Sequence, residues 1–424
     1  MAGEHTDGVD RFVVRPGSPL SGTVRVSGAK NSALKLLAAT LLAEGEHVLH
    51  NVPHIADVET MCDLLSSMGV DVTRRDETLH VRRPEHVDPE APYELVERMR
   101  ASIVVLGPLL ASEGQARVSM PGGDDLGSRP IDMHLRGLEA LGVTFDLAHG
   151  NIEARADQLV GTRVLLEFPS VGATENLLMA AVRAKGVTVI ENAAREPEIA
   201  DLAAFLGRMG ARIEGAGTPT VEVEGVDSLS PAEHTVIPDR VEAATFLAAV
   251  AVAGGEIELE GARLEHMDML VLKLGEMGLH ISPGSNGLWA AAPPRLRSVD
   301  VSTLPYPGIA TDYKPLLVVM LAVADGVGIV TENLYTDRFR YVAELVRMGA
   351  DIRIQSHHAV VRGVGRLSGA PVKASDIRAG AALVVAGLAA EGETVVADAF
   401  HVERGYDDFA GKLRSLGADV QHLR

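Results

Sequence analysis

Six times along the chain an amphipathic stretch closes on the same short phrase: LLSSMGV at Val70, GLEALGV at Val143, FLGRMGA at Ala211, KLGEMGL at Leu279, LVRMGA at Ala350 and LRSLGA at Ala418. The glycines Gly69, Gly142, Gly210, Gly278, Gly349 and Gly417 recur at steps of 68 to 73 residues, which marks an internal repeat. Each phrase predicts the end of a helix capped by glycine. Alternating apolar and polar residues follow, as in ADIRIQSHHAVVRG, and predict a hairpin-like strand pair. Upstream stand longer apolar runs such as NSALKLLAATLLAEG, ENLLMAAVRAKG and GAALVVAGLAAEG, then a short strand such as EHVLHNV or ETVVADA. The unit is α-β-α-β-β, so the chain is an α/β (α+β) protein. The upstream helices are apolar nearly all round and should be buried. Helices inside sheets give an inside-out arrangement, and six units close as one ring or two rings of three. Residue count per core favours two.

Composition narrows the function. The formal charge of −19 argues against a nucleic-acid surface, and 15 aromatic residues leave few platforms for stacking bases. The single cysteine, Cys62, excludes an internal disulfide and a cysteine-based metal cluster, and the histidines show no metal spacing. No run approaches the roughly 20 apolar residues of a membrane span. MAGEHTDGVD has no signal-peptide pattern, so residues 1–10 are expected to be a disordered tail of a cytoplasmic protein.

Against this acidic background the basic residues fall in phase with the repeat. Lys30, Arg100, Arg240, Lys314 and Arg378 stand at the starts of buried helices, and Arg129, Arg195, Arg338 and Arg404 at the starts of second helices. Helix N-termini attract anions, and guanidiniums beside them bind phosphate or carboxylate bidentately. Taken singly, any of these residues is as well explained by a surface salt bridge. As a phased set they predict an anion site. The loop PGGDDLGSRP (residues 121–130) complicates a simple phosphate cradle, because Asp124 and Asp125 stand between its glycines. Aspartates of this kind serve either as turn formers or as a proton donor.

The blocks SGAKNSALKLLAATLLAEG, MRASIVVLGPLL, PSVGATENLLMAA, ENAAREPEIADL, PDRVEAATF, SDIRAGAALVVAGLAAEG and HVERGYDDFAGKLRSLGAD resemble the UDP-N-acetylglucosamine enolpyruvyl transferases, in order, from about Arg11 to the C-terminus. The resemblance implies two inside-out α/β barrels of three βαβαββ-type units each. One would comprise residues 11–29 and 238–424, the other residues 30–237 with a mobile loop at 119–130. It implies enolpyruvyl transfer from phosphoenolpyruvate to the 3′-hydroxyl of UDP-N-acetylglucosamine, two small-molecule substrates, without metal or organic cofactor.

By the same resemblance Lys30, Arg129 and Arg404 would grip the phosphate of phosphoenolpyruvate, Arg338 and Arg378 its carboxylate, and Asn31 would hold it or the sugar beside it. Arg100, the run Arg129, Pro130, Ile131, Asp132 and Met133, and the turn Ser170, Val171 and Gly172 would bind the nucleotide. Leu334 would contact the sugar, and Asp312 would take the proton of the 3′-hydroxyl. Many family members carry PGGC where this chain has PGGD, so Asp124 would replace the cysteine as acid to C3, and fosfomycin, which alkylates that thiol, should not inactivate the protein. His134 reads as structural or surface. IATDYK departs from the family's PTDLQ, which places Tyr313 and Lys314 near the sugar pocket and leaves two alternatives open. These are a paralogue with another acceptor, shikimate 3-phosphate or a different nucleotide, and a silent UDP-sugar binder.

Overall fold

A computed structural model describes residues 10–120, 131–335 and 337–424. The loop holding Asp124, Arg129 and Pro130 lies outside the described residues. The chain divides into two compact units, one built from the described residues through Ser27 with Pro238–Arg424, the other from those between Gly28 and Ile237. Each has its own apolar core.

Among the described residues six four-stranded sheets share one plan, three in each unit. In one of them Arg163–Leu165 runs parallel to Val187–Glu191, which pairs antiparallel with Thr220–Glu224, itself paired with Arg212–Glu214. The register sets Ile190 opposite Val221. Alternation puts Thr188, Ile190, Val221 and Val223 on the buried face and their neighbours toward solvent.

That face covers the long apolar helices. Lys30–Ala39, Leu106–Glu113 and Val171–Ala181 lie in one unit; Arg240–Ala253, Lys314–Ala322 and Ile377–Leu388 lie in the other. All nine residues of Lys314–Ala322 and all twelve of Ile377–Leu388 are buried, so these helices have no solvent face. Each Leu, Val or Ile so enclosed contributes roughly 1.5–3 kcal/mol. The inside-out α/β plan follows from this composition.

The amphipathic helices, such as Ala56–Ser67 and Pro197–Arg208, end as the phrase predicts. Val70 N–H reaches back to Leu65 O (3.1 Å) and Gly69 N–H to Ser66 O (3.0 Å), and the same pair of bonds closes the other five. The six glycines have φ between +89° and +106°, a conformation that side chains disfavour.

Five of the strand pairs after these glycines are hairpins. The sixth differs: Asp419–Leu423 pairs with Arg11–Arg15, from the other end of the chain. Leu20–Arg25 likewise lies parallel to Gly255–Glu260. No described helix is long and apolar enough to cross a membrane.

Candidate active site

The described basic residues picked out from the sequence divide between the two units. In the unit that contains Pro238–Arg424, Asp312 stands two residues before helix Lys314–Ala322 and is held from both sides. Arg338 Nη1 donates to its Oδ1 at 2.7 Å, and Arg378 Nε to its Oδ2 at 3.2 Å. Arg338 Nη1 also reaches Thr311 Oγ1 at 3.2 Å. Asp376 completes the cluster, 3.9 Å from Arg338, while capping helix Ile377–Leu388 by accepting from Arg378 N and Ala379 N at 3.0 Å. The Arg378 guanidinium lies 5.3 Å from the centre of the Tyr406 ring.

Burial alone would raise the Asp312 carboxyl, but the charges of Arg338 and Arg378 prevail and hold it far below the usual carboxylate range. Both arginines are themselves buried, and Arg338 Nε and Arg378 Nη1 have no hydrogen-bond partner among the described residues. Two buried guanidiniums flanking one carboxylate thus keep donors to spare, and guanidiniums pair well with planar anions.

Lys314 does not join them. It is fully buried, 2.8 Å from Glu332 Oε2, donates to the carbonyl of Arg338 and lies 3.9 Å from the centre of the Phe339 ring. Glu332 also accepts from the hydroxyls of Thr303 and Thr311 at 2.7 Å, and from Leu334 N (2.8 Å) and Tyr335 N (3.1 Å). Its place in the phased anion set is therefore corrected. A helix with no solvent face turns this side chain into the core, where a counter-ion fixes it. Leu334 sits half-buried in the turn that Glu332 ties down, and Arg404 half-buried after Phe400–Glu403. Arg240 packs against Tyr306 and Tyr313, with Nη1 3.1 Å from the Tyr313 hydroxyl.

In the unit from Gly28 to Ile237, Lys30 opens helix Lys30–Ala39 with its Nζ 2.8 Å from Asp57 Oδ2. Asn31 follows on the same turn, half-buried. Arg100 opens the short 3-10 segment Arg100–Val105. Ile131 precedes helix Asp132–Ala140, whose first turn holds Asp132, Met133 and His134; the buried Asp132 Oδ1 has no partner among the described residues. Ser170 caps helix Val171–Ala181, its Oγ accepting from Ala173 N at 3.3 Å, so Val171 and Gly172 form a helix N-terminus.

His134 is not at the surface: it is 7% exposed, with its ring against Gly172. Burial pushes its imidazole down to about 4, and Arg100 nearby pushes the same way. Asp57, Glu332, Asn176 and His134 gave no usable signal in the sequence. Asp376 did, as an aspartate standing just ahead of a helix start.

A family model described as EPSP synthase (3-phosphoshikimate 1-carboxyvinyltransferase) matches residues 14–413. The chain belongs to this carboxyvinyl transferase family. It is 50% identical over 410 residues to UDP-N-acetylglucosamine 1-carboxyvinyltransferase 1 of Caldanaerobacter subterraneus subsp. tengcongensis, covering 97% of this chain and 99% of that protein. It is 50% identical over 416 residues to UDP-N-acetylglucosamine 1-carboxyvinyltransferase of Myxococcus xanthus, with the same coverage. Among solved structures it is similar to the enolpyruvyl transferase NikO of Streptomyces tendae, with a TM-score of 0.89, 27% identity and coverage of 98% and 99%. EPSP synthase of Acinetobacter baumannii, at 19% identity and a TM-score of 0.77, shares the fold.

Cys62 shares its helix with Asp57, the partner of Lys30. It lies buried on helix Ala56–Ser67, and desolvation pushes its thiol up to about 12, so it holds little nucleophilic thiolate. One group of possible metal ligands, Asp10, Glu403 and His422, occurs among the described residues. These side chains already serve one another: His422 Nε2 is 2.6 Å from Asp10 Oδ1, and Arg424 pairs with Glu403 at 2.5 Å.

Proposed function

We propose that this protein transfers the enolpyruvyl group of phosphoenolpyruvate to the 3′-hydroxyl of UDP-N-acetylglucosamine and releases phosphate, the first committed step of peptidoglycan precursor synthesis in the cytoplasm. Relatives 50% identical over nearly the whole chain are named for this reaction. The observation that carries the chemistry is the buried Arg338–Asp312–Arg378 cluster with its two spare guanidinium nitrogens.

In the addition step Asp124 gives a proton to C3 of phosphoenolpyruvate, the 3′-oxygen attacks C2, and Asp312 accepts the hydroxyl proton. In the elimination step the C2–O bond to phosphate breaks, C3 returns a proton to the Asp124 carboxylate and the double bond re-forms. Lys30, Arg129 and Arg404 hold the phosphate, and Arg338 and Arg378 the carboxylate. Asn31 and Leu334 position the sugar side. Arg100, Pro130, Ile131, Asp132, Met133 and the helix N-terminus at Ser170, Val171 and Gly172 hold the nucleotide.

With both arginines on its carboxylate, Asp312 is a feeble base. A substrate carboxylate competes for the same guanidiniums. Once it takes them, Asp312 loses the charges that depress it and becomes basic enough to receive a proton. Binding of one substrate thus activates the base for the other.

The test is phosphate release from phosphoenolpyruvate, with UDP-N-acetylglucosamine, shikimate 3-phosphate or no acceptor. Release only with the nucleotide sugar, lost in Asp124→Asn, is expected. Release with shikimate 3-phosphate would replace the acceptor, and release surviving in Asp124→Asn would move the acid elsewhere, with Asp125 the first place to look. Absence of release with either acceptor would overturn the assignment. Full activity after exposure to fosfomycin is expected as well.

A further inference from the structure

We propose that Asn176 is a positioning residue that holds His134 in the Nε2–H tautomer, and so equips the N-terminus of helix Val171–Ala181 with an uncharged donor for an anionic group of the nucleotide substrate. The substrate class rests on the function proposed above; the tautomer does not.

The hydrogen-bond network leaves one solution. Asn176 is completely buried in the middle of its helix. Its Oδ1 accepts from the backbone N–H of Gly107 at 2.8 Å, and its Nδ2 donates to the carbonyl of Ile103 at 3.0 Å. A backbone N–H can only donate and a carbonyl can only accept, so the amide cannot be flipped. The second hydrogen on Nδ2 then points at His134 Nδ1, 2.8 Å away, which must accept. The proton of a neutral His134 is therefore on Nε2.

That nitrogen has no hydrogen-bond partner among the described residues, although the side chain is more than nine-tenths buried. It is aimed at the start of the helix: a Cβ on Gly172 would sit 3.2 Å from Nε2 and 3.0 Å from Cε1. Gly107 has a matching reason to lack a side chain, since a Cβ there would come within 2.3 Å of Asn176 O and 2.9 Å of its Oδ1. Backbone and side chain are thus packed so closely that the amide has no second position.

The charged groups facing His134 are Arg100, from the 3-10 segment, and Asp132, from its own helix. Burial and Arg100 disfavour the imidazolium, against the weaker pull of Asp132. His134 is therefore a neutral donor across the working pH range, beside helix N–H groups that are also neutral donors.

The first measurement is a long-range proton–nitrogen correlation spectrum of the full chain labelled with 15N-histidine, with His134→Gln identifying the resonance. An unprotonated Nδ1 and a protonated Nε2, unchanged between about pH 5.5 and 8.5, are expected. A protonated Nδ1, or titration near the ordinary histidine value, would overturn the lock. Addition of uridine diphosphate is expected to move the Nε2–H signal, and a signal that stays put at saturation would overturn the donor role.

Asn176→Asp supplies the kinetic arm, because a carboxylate accepts from Nδ1–H and inverts the tautomer. KM for UDP-N-acetylglucosamine should then rise on the order of tenfold, with KM for phosphoenolpyruvate within about twofold of the parent value. An inverted tautomer with unchanged KM would overturn the proposal. Should that variant fail to fold, the pair His134→Gln and His134→Asn decides. A glutamine amide reaches the Nε2 position and should keep most of the affinity, whereas asparagine reaches only Nδ1 and should not; equal loss in both would point to simple packing. If the protein released no phosphate with any acceptor, the function proposed above would fall while the spectrum still tested the tautomer.

Discussion

Helices Lys314–Ala322 and Val171–Ala181 occupy the same place in their repeats, yet their first turns handle charge in opposite ways. Around the first, every charge is answered. Lys314 meets Glu332, four other donors serve Glu332, and Asp312 is shared by two arginines. Around the second, the groups that face outward are neutral, and the one buried charge is poorly served. Glu175, fully enclosed on that helix, has Lys35 only at 3.6 Å, and neither of its oxygens has a hydrogen bond among the described residues. Desolvation pushes Glu175 up to about 8; Lys35 opposes this, while Glu198 and Glu196 add to it. A repeat therefore fixes where a helix starts without fixing how its start treats an anion. The first turn of one helix stores full charges in compensated form; that of the other presents neutral donors.

The sharpest way to break this contrast is Asp312→Asn. It should lower kcat by about 10²–10⁴-fold and, by freeing both guanidiniums, lower KM for phosphoenolpyruvate. A raised KM in steady-state assays would show that Asp312 does not compete with the substrate carboxylate.

Next comes Lys314→Met, which leaves Glu332 buried without its cation. A loss of about 3–5 kcal/mol is expected, read as a fall of roughly 10 °C or more in the thermal midpoint. A loss below about 1 kcal/mol would mean that Lys314 behaves like a surface charge.

Glu175→Gln should act in the other direction. The folded value of Glu175, about 8, lies above its ordinary 4.5, so the folded protein keeps a proton that the unfolded chain gives up in that window. The stability contributed by this group therefore falls as pH rises from about 4.5 to about 8. The substitution should flatten that slope and raise the thermal midpoint more at pH 8 than at pH 5.5. A parallel shift at both pH values would contradict a protonated Glu175.

The smallest effect is expected at Cys62, in the same unit, whose thiol is raised by the same cause as Glu175. A thiol reagent at pH 8 should leave the folded protein essentially unlabelled, as judged by mass spectrometry. Prompt labelling would mean that this interior is wetter than Glu175 implies.

The sequence carried much of the fold because the signals are local. A glycine two residues past the last helical turn can be recognised without knowing what the helix packs against, and six of them in phase disclose the repeat. The pairing of Arg11–Arg15 with Asp419–Leu423 could not be recognised in this way, since alternation makes a strand but does not name its neighbour. The candidate site divides likewise. Helix-start positions such as Lys30 and Arg378 stand out by phase and by the resemblance, and Asp312 by the resemblance alone. What each side chain faces depends on residues far along the chain, such as Asp57 for Lys30 and Glu332 for Lys314. His134 looked ordinary because Asn176, 42 positions away, decides its proton.

The same crossed strand orders events during synthesis. All described residues from Gly28 to Ile237 belong to one unit, and they are made before Pro238–Arg424. Arg11–Arg15 emerges before that unit, but its two partners, Thr394–Ala397 and Asp419–Leu423, follow about 380 to 410 residues later. At 5–20 residues per second, the earliest strand must wait roughly 20–80 s for a place in a sheet. During that time it is an open edge that another nascent chain could take.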